Sequence, residues 1–332
     1  MNNPRRDVIQ EVAASIRGSQ RFLVATHVRP DGDAIGSVLA MAHLLARLGK
    51  KADPYCQGSV PTAYQFLPGA DFIRDSVLQP SRYDVAVLVD CGDFLRVGTA
   101  LAEAISRVPF LISIDHHVAH APFGNIFWNR TSASSACEML YDLCLALPVT
   151  IDATLATTLY TGLLADTGSF RFSNTNQRVL EIASQLVAAG AKPAYIAEQV
   201  YDSASVESLR LLAKVLATIS FHANDRLATA EMSQKMFSET ATSPADTEGL
   251  INFLRSVKAV EMAMLFREGT DGTVHVSMRS KGDVDVASFA QRHGGGGHRH
   301  AAAFEVPGTL PMTRSRFTRE ALTYLEQLTG KR

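Results

Sequence analysis

The sequence predicts a two-domain α/β protein whose N-terminal domain contains a doubly wound, mainly parallel sheet. Three observations support this prediction. In the first half of the chain, short apolar and β-branched runs alternate with stretches of helical periodicity, as in parallel α/β sheets. From Arg226 onward the pattern changes to closely spaced strands and helices. The length of 332 residues also exceeds the roughly 250–300 residues at which a single core stops growing.

The predicted elements of the first half begin with a strand, a turn and a helix. Phe22–Thr26 is apolar enough for a buried strand, and a turn at Pro30–Asp33 leads into an amphipathic helix. Two more buried strands are predicted at Val85–Val89 and Leu111–Ile114, and an acidic residue follows each of them. Three further helices are predicted at Ser134–Leu147, Ile151–Leu164 and Gln177–Ala189.

The second half is predicted to form a smaller α/β domain with a mixed sheet, and a cleft is expected between the two domains. We place the N-terminal domain at residues 1–191, a helical connector at 192–220 and the second domain at 221–332. The connector has a charged, helical pattern without a strand. The predicted strands of the second domain are Arg226–Met232, Ala259–Phe266 and Thr273–Arg279.

Composition restricts the classes of partner. The chain has 32 basic and 33 acidic residues, whereas a protein that grips long nucleic acid usually carries a basic excess. Long nucleic acid is therefore not expected, and a nucleic-acid substrate would be short. No apolar run approaches the ~18 residues of a membrane span, so no membrane partner is expected. The four cysteines contain no Cys-x-x-Cys pair, which predicts reduced thiols and a cytoplasmic location.

Acidic and histidine residues cluster where predicted elements end. One segment runs from His27 to Asp33, a second is Asp90, a third is Asp115-His116-His117, and a fourth begins at Asp166 where a helix closes. Each segment alone has an ordinary interpretation as a turn, a helix cap or a chance histidine pair. Because ligands bind at the carboxyl ends of parallel strands, however, the joint placement at one predicted sheet edge favours a common site.

The chemistry of these side chains points to metal ions. Several carboxylates converging in one cleft repel each other strongly unless a cation neutralises them. Carboxylates and imidazoles suit Mn, Fe, Co or Zn better than thiolates would. Two cations held ~3.5–4 Å apart can share one carboxylate, activate a water and clamp phosphate oxygens. The cluster therefore predicts a two-metal phosphoesterase.

A second set of residues is predicted to bind substrate. The glycine run before His298 could direct backbone N–H groups at an anion, although four glycines alone are more often a flexible loop. Arg130 precedes a serine-rich helix start that could bind phosphate or merely cap the helix. Arg171 could neutralise phosphate or pair on the surface. The candidates are Arg130, Arg171, Arg279, Ser280, Gly295, Gly296, Gly297 and His298.

Taken in order along the chain, these motifs resemble the DHH phosphoesterase superfamily and its DHH-associated C-terminal domain. The length of the chain and the residues of its motifs are most similar to those of the nanoRNase/pAp-phosphatase group. The resemblance implies that the protein degrades very short oligoribonucleotides and dephosphorylates 3′-phosphoadenosine 5′-phosphate (pAp). The matching elements are His27, Asp31 and Asp33, then Asp90, Asp115-His116-His117, Asp166-Thr167-Gly168, Met278-Arg279-Ser280 and Gly294–His298.

The resemblance also implies roles for individual residues. Two divalent ions are expected, and Mn²⁺ is the usual metal of the family. His117 would face the substrate phosphate or the leaving group, and Asp115 would support the site without binding metal. Arg279 and the glycine run would recognise the nucleotide. The implied metal ligands are His27, Asp31 and Asp90 for one ion and Asp33, Asp90, His116 and Asp166 for the other.

Three alternative functions share parts of this pattern. Inorganic pyrophosphatases of the same superfamily have the metal set, but a Ser-Arg-Lys-like phosphate site replaces the glycine-histidine run. Phosphodiesterases of linear or cyclic dinucleotides have both domains, usually behind membrane and sensor regions. A non-catalytic nucleotide-binding regulator would be expected to have lost a metal ligand, and every matched position is intact. The oligomeric state stays open, with a homodimer as one option.

Overall fold

The computed structural model describes residues 4–118, 121–247 and 249–329. Contacts within the chain divide it into two compact units, Met1–Ser203 and Ala204–Arg332. The first unit contains a parallel sheet and the second a mixed one, so the predicted α/β class is confirmed. Within the described ranges, every helix is too short or too polar to cross a membrane.

Five parallel strands form the sheet of the first unit, in the order β2-β1-β3-β4-β5. The chain passes from β1 to β2 on one side and then crosses to β3 on the other side of β1. Such a reversal opens a crevice at the carboxyl ends of the strands, where ligands bind in this class of sheet. The strands are β1 (Arg21–Ala25), β2 (Lys51–Tyr55), β3 (Val85–Val89), β4 (Leu111–Asp115) and β5 (Ile126–Asn129).

The central strand β3 is buried along its whole length because packed side chains cover both faces of the sheet. Val87 belongs to the larger core on one face, and its neighbour Leu88 belongs to a smaller core on the other face. This double burial explains why β3 is a continuous apolar run in the sequence.

The two edge strands were not predicted. β2 contains Asp53 and Pro54, two residue types that are depleted in strands. An edge strand tolerates proline because one side of its backbone needs no partner. β5 has only four residues. Both strands therefore depend on pairing with β1 and β4 more than on their own sequence.

Seven helices are described in the first unit, and the pair α2 and α5 positions the later site. A Cβ on Gly32 would lie 2.5 Å from Ala165 Cβ, and one on Gly162 would lie 2.5 Å from Asp33 Oδ1. This close approach brings the start of α2 next to the end of α5. The helices are α1 (Pro4–Gly18), α2 (Gly32–Arg47), α3 (Thr99–Ile105), α4 (Ala136–Ala146), α5 (Ala153–Asp166), α6 (Gln177–Ala188) and α7 (Pro193–Tyr201).

The second unit contains a six-stranded sheet in the order β10-β11-β9-β8-β7-β6. Only the β7–β8 pair is parallel among the described pairings, so the sheet is mixed as predicted. The strand expected at Ala259–Phe266 begins later and ends later, at Met262–Glu268. The strands are β6 (Ser220–His222), β7 (Leu227–Met232), β8 (Met262–Glu268), β9 (Thr273–Ser280), β10 (Gly296–His298) and β11 (Ala301–Pro307).

Helices pack against both faces of this mixed sheet. Phe289 and Phe317 contribute to the core on one face, and Leu211 and Leu254 contribute to the core on the other. Part of the glycine run is itself a strand, since β10 pairs with β11 in antiparallel register. The helices are α8 (Val206–Leu216), α9 (Gln234–Thr240), α10 (Leu250–Ser256), α11 (Val286–Gln291) and α12 (Leu310–Thr329).

Candidate metal centre

The six predicted ligands lie together at the crevice of the parallel sheet. His27 follows β1, Asp90 follows β3 and His116 follows β4. Asp31 and Asp33 lie at the start of α2, and Asp166 is the last residue of α5. Three strand ends and two helix ends therefore contribute to one cluster.

His27, Asp31 and Asp90 form the first group, and one ligand atom from each lies within 4.8 Å of the others. His27 Nδ1 is 2.8 Å from Val28 O. Because a carbonyl oxygen only accepts, Nδ1 carries a hydrogen, so Nε2, 3.6 Å from Asp90 Oδ2, is the ring nitrogen that could bind a metal ion when the ring is neutral. Asp31 Oδ1 accepts two backbone N–H groups at the start of α2, at 3.0 and 3.1 Å. The helix cap thus fixes this carboxylate.

Asp33, Asp90 and His116 form the second group within the same 4.8 Å limit. His116 Nε2 lies 3.3 Å from Asp90 Oδ1, 3.8 Å from Asp33 Oδ2 and 3.0 Å from Asp166 Oδ2. The other ring nitrogen, Nδ1, is 3.4 Å from Ala133 O, which directs Nε2 into the carboxylates. Asp90 is common to both groups.

Asp90 has an unusual backbone conformation for a residue other than glycine, with φ +53°. Its carboxylate is 1% exposed, and Oδ1 accepts no hydrogen bond from the residues that the structure describes. Burial opposes ionisation, yet the adjoining imidazoles of His116 and His27 hold the pKa of Asp90 well below its usual value. A buried anion with an unsatisfied oxygen is the environment expected of a bridging metal ligand.

The other carboxylates are crowded at an electrostatic cost. Asp33 is fully buried and accepts hydrogen bonds from Ala136 N at 2.6 Å and Cys137 N at 3.0 Å, at the start of α4. Burial and the charges of Asp90 and Asp166 raise the pKa of Asp33 well above its usual value. Burial likewise raises the pKa of Asp166 to about 6. Divalent cations would relieve this repulsion, so the donor set fits metal ions.

His117 is fixed against Asp115 beside Asp90. Its Nδ1 lies 2.9 Å from Asp115 Oδ1 and 3.5 Å from Asp90 Oδ1. Its backbone N–H donates to Asp115 Oδ2 at 3.2 Å, and Asn129 Nδ2 donates to His117 O at 2.9 Å. The fully buried Asp115 therefore orients the ring and favours the tautomer with hydrogen on Nδ1. In that tautomer Nε2 is the atom that can exchange a proton with a substrate.

The two arginines predicted in the first unit already have protein partners. Arg130 lies 3.1 Å from Glu138 Oε1 and 2.6 Å from Asp142 Oδ2, and its side chain is largely buried. Arg171 Nε donates to Gly168 O at 2.7 Å in the turn after α5. A phosphate group would have to compete with two carboxylates for Arg130. Arg171 is exposed and contacts a carbonyl oxygen, so a phosphate group would meet no competing carboxylate in that contact.

Two residues around the cluster were missed by the sequence-based prediction. Asn174 Nδ2 donates to Asp166 O and to Ser134 O, both at 3.1 Å. Glu138 accepts the backbone N–H of Ser134 at 2.7 Å. The Ser135-x-x-Glu138 spacing is a helix-capping pattern and could have drawn attention to Glu138. Nothing local in the sequence distinguishes Asn174.

In the second unit, Arg279 and Ser280 lie on opposite sides of β9. Arg279 is half-buried on the side away from the α11–α12 core, with Nη1 donating to Met278 O at 3.0 Å. Ser280 is buried, and its Oγ donates to Val284 O at 2.7 Å and lies 2.9 Å from His300 Nδ1. These contacts hold the turn after β9, and a contact between Ser280 and substrate stays a prediction.

The glycine run is explained largely by close backbone packing. A Cβ on Gly295 would lie 2.2 Å from Ala303 O, and one on Gly297 would lie 2.4 Å from Ala301 O. Gly296 differs, because a Cβ there would meet no atom of the described residues within 4 Å. Its side of the strand is open to a ligand, and the half-buried His298 ends the same strand.

The carboxylates and histidines at the edge of the parallel sheet could hold metal ions, and such a cluster is typical of hydrolases that use metal-activated water. Residues 21–163 match the model of the DHH family, N-terminal domain, and residues 224–329 match the model of the DHHA1 domain. The chain therefore belongs to the DHH family, and it is a hydrolase of phosphate esters that depends on metal ions.

Named relatives cover nearly the whole chain. A bifunctional oligoribonuclease and PAP phosphatase NrnA from Thermus thermophilus is 34% identical over 301 residues, which are 91% of this chain and 88% of that protein. The protein of the same name from Bacillus subtilis is 26% identical over 304 residues, covering 89% of this chain and 92% of that protein.

Solved structures agree with the fold. An exopolyphosphatase-related protein from Bacteroides fragilis superposes with a TM-score of 0.84 at 26% identity, covering 98% of this chain and 96% of that one. RecJ from Thermus thermophilus superposes with a TM-score of 0.53 at 15% identity, covering 96% of this chain and 55% of that one. The second likeness concerns the fold alone.

Proposed function

We propose that this protein hydrolyses short oligoribonucleotides, pAp or both, using two divalent cations, preferably Mn²⁺. The observation that carries the proposal is Asp90, a buried carboxylate that is common to both of the proposed ligand groups, His27–Asp31–Asp90 and Asp33–Asp90–His116. The activities named for relatives that match about nine-tenths of the chain support the choice of substrate. The near-neutral charge also favours a small substrate over a long nucleic acid.

The proposed ligands divide between two sites that share Asp90. Cations bound there would polarise phosphate oxygens and lower the pKa of a water toward ~7. The protein keeps the donor atoms in place through the α2 cap, the start of α4 and backbone carbonyls that fix both imidazoles. The proposed ligands are His27, Asp31 and Asp90 for one ion and Asp33, Asp90, His116 and Asp166 for the other.

His117 is the proposed catalytic residue for proton transfer. With Nδ1 held by Asp115, its Nε2 can carry the proton that the leaving oxygen needs when the P–O bond breaks. Asp115 stabilises the protonated ring through the same 2.9 Å contact. We assign Asp115 to orientation and His117 to the substrate.

Nucleotide recognition is proposed for Arg279 on β9 together with Gly296 and His298 on the edge strand β10, with the flanking Gly295 and Gly297 shaping the backbone. A guanidinium and an imidazole can both hold phosphate, and an open glycine permits close approach of a ligand. Arg171 is a second proposed phosphate contact. Arg130 remains a weaker candidate because of its two carboxylate partners.

A reaction panel tests the proposed function. The purified protein is incubated with Mn²⁺ and, separately, pAp, a diribonucleotide, a cyclic dinucleotide and pyrophosphate, and the products are separated by chromatography. We expect mononucleotide from pAp or from the diribonucleotide. Hydrolysis of pyrophosphate or the cyclic dinucleotide alone would contradict the proposed substrate class. Tight nucleotide binding without any product would indicate a regulator.

The choice of metal is tested in the same panel by replacing Mn²⁺ with Mg²⁺, Co²⁺ or Zn²⁺ after treatment with a chelator. Mn²⁺ is expected to restore the highest rate, because it is the usual metal of the family that the motifs resemble. A cytoplasmic location is part of the proposal and is supported by four cysteines that remain free thiols.

Gly296→Ala is expected to raise KM for the nucleotide while the stability of the protein stays unchanged. The added methyl group meets open space within the described structure and no unusual φ, so only a ligand approaching this strand would contact it. Gly18→Ala is the matched control, since Gly18 at the end of α1 is equally unconstrained. Equal KM values for both variants would remove Gly296 from the proposed nucleotide contact.

A further inference from the structure

One short backbone segment, Ala133–Cys137, supports metal ligands from different parts of the first unit. Its first carbonyl lies 3.4 Å from His116 Nδ1 and so fixes the orientation of that ring. Its last two N–H groups donate to the Asp33 carboxylate at 2.6 and 3.0 Å. Ala136 and Cys137 lie 103 and 104 positions after Asp33 in the sequence. The segment therefore links Asp33 at the start of α2 with His116 at the end of β4.

The same segment reaches a third proposed ligand through one side chain. Ser134 O accepts a hydrogen bond from Asn174 Nδ2 at 3.1 Å, and that amide also donates to Asp166 O at 3.1 Å. A shift of the segment would therefore displace donors or acceptors that position Asp33, His116 and Asp166 together.

Glu138 anchors this segment. Its Oε2 accepts the N–H of Ser134 at 2.7 Å and the Ser134 hydroxyl at 2.9 Å. Its Oε1 lies 3.1 Å from Arg130 Nη2 and 3.4 Å from Arg178 Nε. The side chain is 4% exposed, so these charge-assisted contacts form in a poorly solvated environment where they are strong.

We propose that Glu138 is a positioning residue for the metal centre, which it serves by holding Ala133–Cys137 in register with the ligands. The inference rests on the proposed function, because it concerns the metal ions of that function. Within the part of the chain that the structure describes, the hydrogen bonds and ion pairs of Glu138 go to Ser134, Ser135, Arg130 and Arg178 and not to the six proposed ligands, so it acts through Ser134. Substitution of Glu138 is therefore predicted to lower the affinity for metal ions, whether or not a substrate is present.

Asp142 provides a matched control on the same helix. It lies one turn after Glu138 and pairs with the same two arginines, at 2.6 Å from Arg130 Nη1 and in contact with Arg178 Nη2. The hydrogen bonds and ion pairs recorded for Asp142 go to these arginines and not to Ala133–Cys137. Removing its charge disturbs the ion-pair network while leaving the anchor in place.

The test compares Mn²⁺ binding of Glu138→Gln and Asp142→Asn with that of the unchanged protein, by calorimetric titration without substrate. Glutamine keeps the volume of Glu138 but places an amide N–H₂ among donors that need an acceptor. We expect Glu138→Gln to weaken Mn²⁺ binding by about 10–100-fold, the range found when outer partners of metal ligands are removed. Asp142→Asn should bind Mn²⁺ nearly as tightly as the unchanged protein.

Circular dichroism and thermal unfolding in chelator show whether each variant folds. Should Glu138→Gln fail to fold, Ser134→Ala removes one of the two bonds to Glu138 and is expected to weaken Mn²⁺ binding in the same direction by less. Unchanged affinity in a folded Glu138→Gln, unchanged affinity in Ser134→Ala, or an equal loss in Asp142→Asn would overturn the proposal. An unchanged protein that binds no Mn²⁺ would instead overturn the metal centre itself.

Discussion

Asp90→Asn is expected to abolish metal-dependent hydrolysis, by more than about 10³-fold, while the protein stays folded. Asp90 is the one residue shared by the two ligand groups, so its loss weakens both sites at once. Asparagine is the preferred replacement because, like aspartate, it adopts the left-handed conformation that Asp90 has at φ +53°. Alanine lacks the polar side chain that favours this conformation.

Asp31→Asn is the comparison that makes this experiment informative. Asp31 belongs to one of the two ligand groups, and asparagine preserves its function as the N-cap of α2. Metal analysis should find that Asp31→Asn keeps one tightly bound ion while Asp90→Asn keeps neither. An Asp90→Asn protein with near wild-type turnover in Mn²⁺ would refute the two-metal interpretation.

His117→Ala is expected to lower kcat by about 10²–10⁴-fold without changing the number of bound metal ions. The ring is held by Asp115 and stands 3.5 Å from the bridging carboxylate, yet the two proposed metal sites do not need it as a ligand. The loss should be confined to the step in which the leaving oxygen takes up a proton.

A substrate with a better leaving group distinguishes this role from a general structural one. A nitrophenyl ester of a nucleotide leaves without needing a proton, so His117→Ala should lose much less activity on that ester than on a diribonucleotide. An equal loss on both substrates would contradict proton transfer by His117. Asp115→Asn is expected to reproduce part of the same pattern, because Asp115 fixes the tautomer of the ring.

Much of the fold could be predicted because the relevant signals are local. β3 was predicted with its observed bounds, Val85–Val89, since a strand covered on both faces must be apolar at every position. The placement of the candidate ligands could also be predicted, because His27, Asp90 and His116 come directly after strands or one residue later. Strand alternation with helices implied a parallel sheet, and a parallel sheet brings those ends to one edge.

Residues that act only through distant contacts were not visible in the same way. Glu138 and Asn174 matter through hydrogen bonds to backbone atoms of other segments, and no periodicity marks such bonds. The direction of the Ser280 side chain was equally invisible in the sequence: its hydroxyl donates to Val284 O inside the second unit, on the opposite side of β9 from Arg279. Side chains along β9 point alternately to the two faces of the sheet. Which residues are buried therefore depends on which face the core covers, and the sequence of β9 does not show that.

The sequence by itself therefore determined the α/β class, the approximate positions of the main strands, and the set of acids and histidines that surrounds Asp90. These follow from residue types and short-range periodicity. Only the tertiary structure decided that β2 and β5 complete the sheet, that part of the glycine run is an edge strand, and that Ala133–Cys137 supports Asp33 and His116. Each of those features is a contact between separate segments of the chain, and no residue type or local periodicity marks such a contact. It is set by the packing of the whole unit.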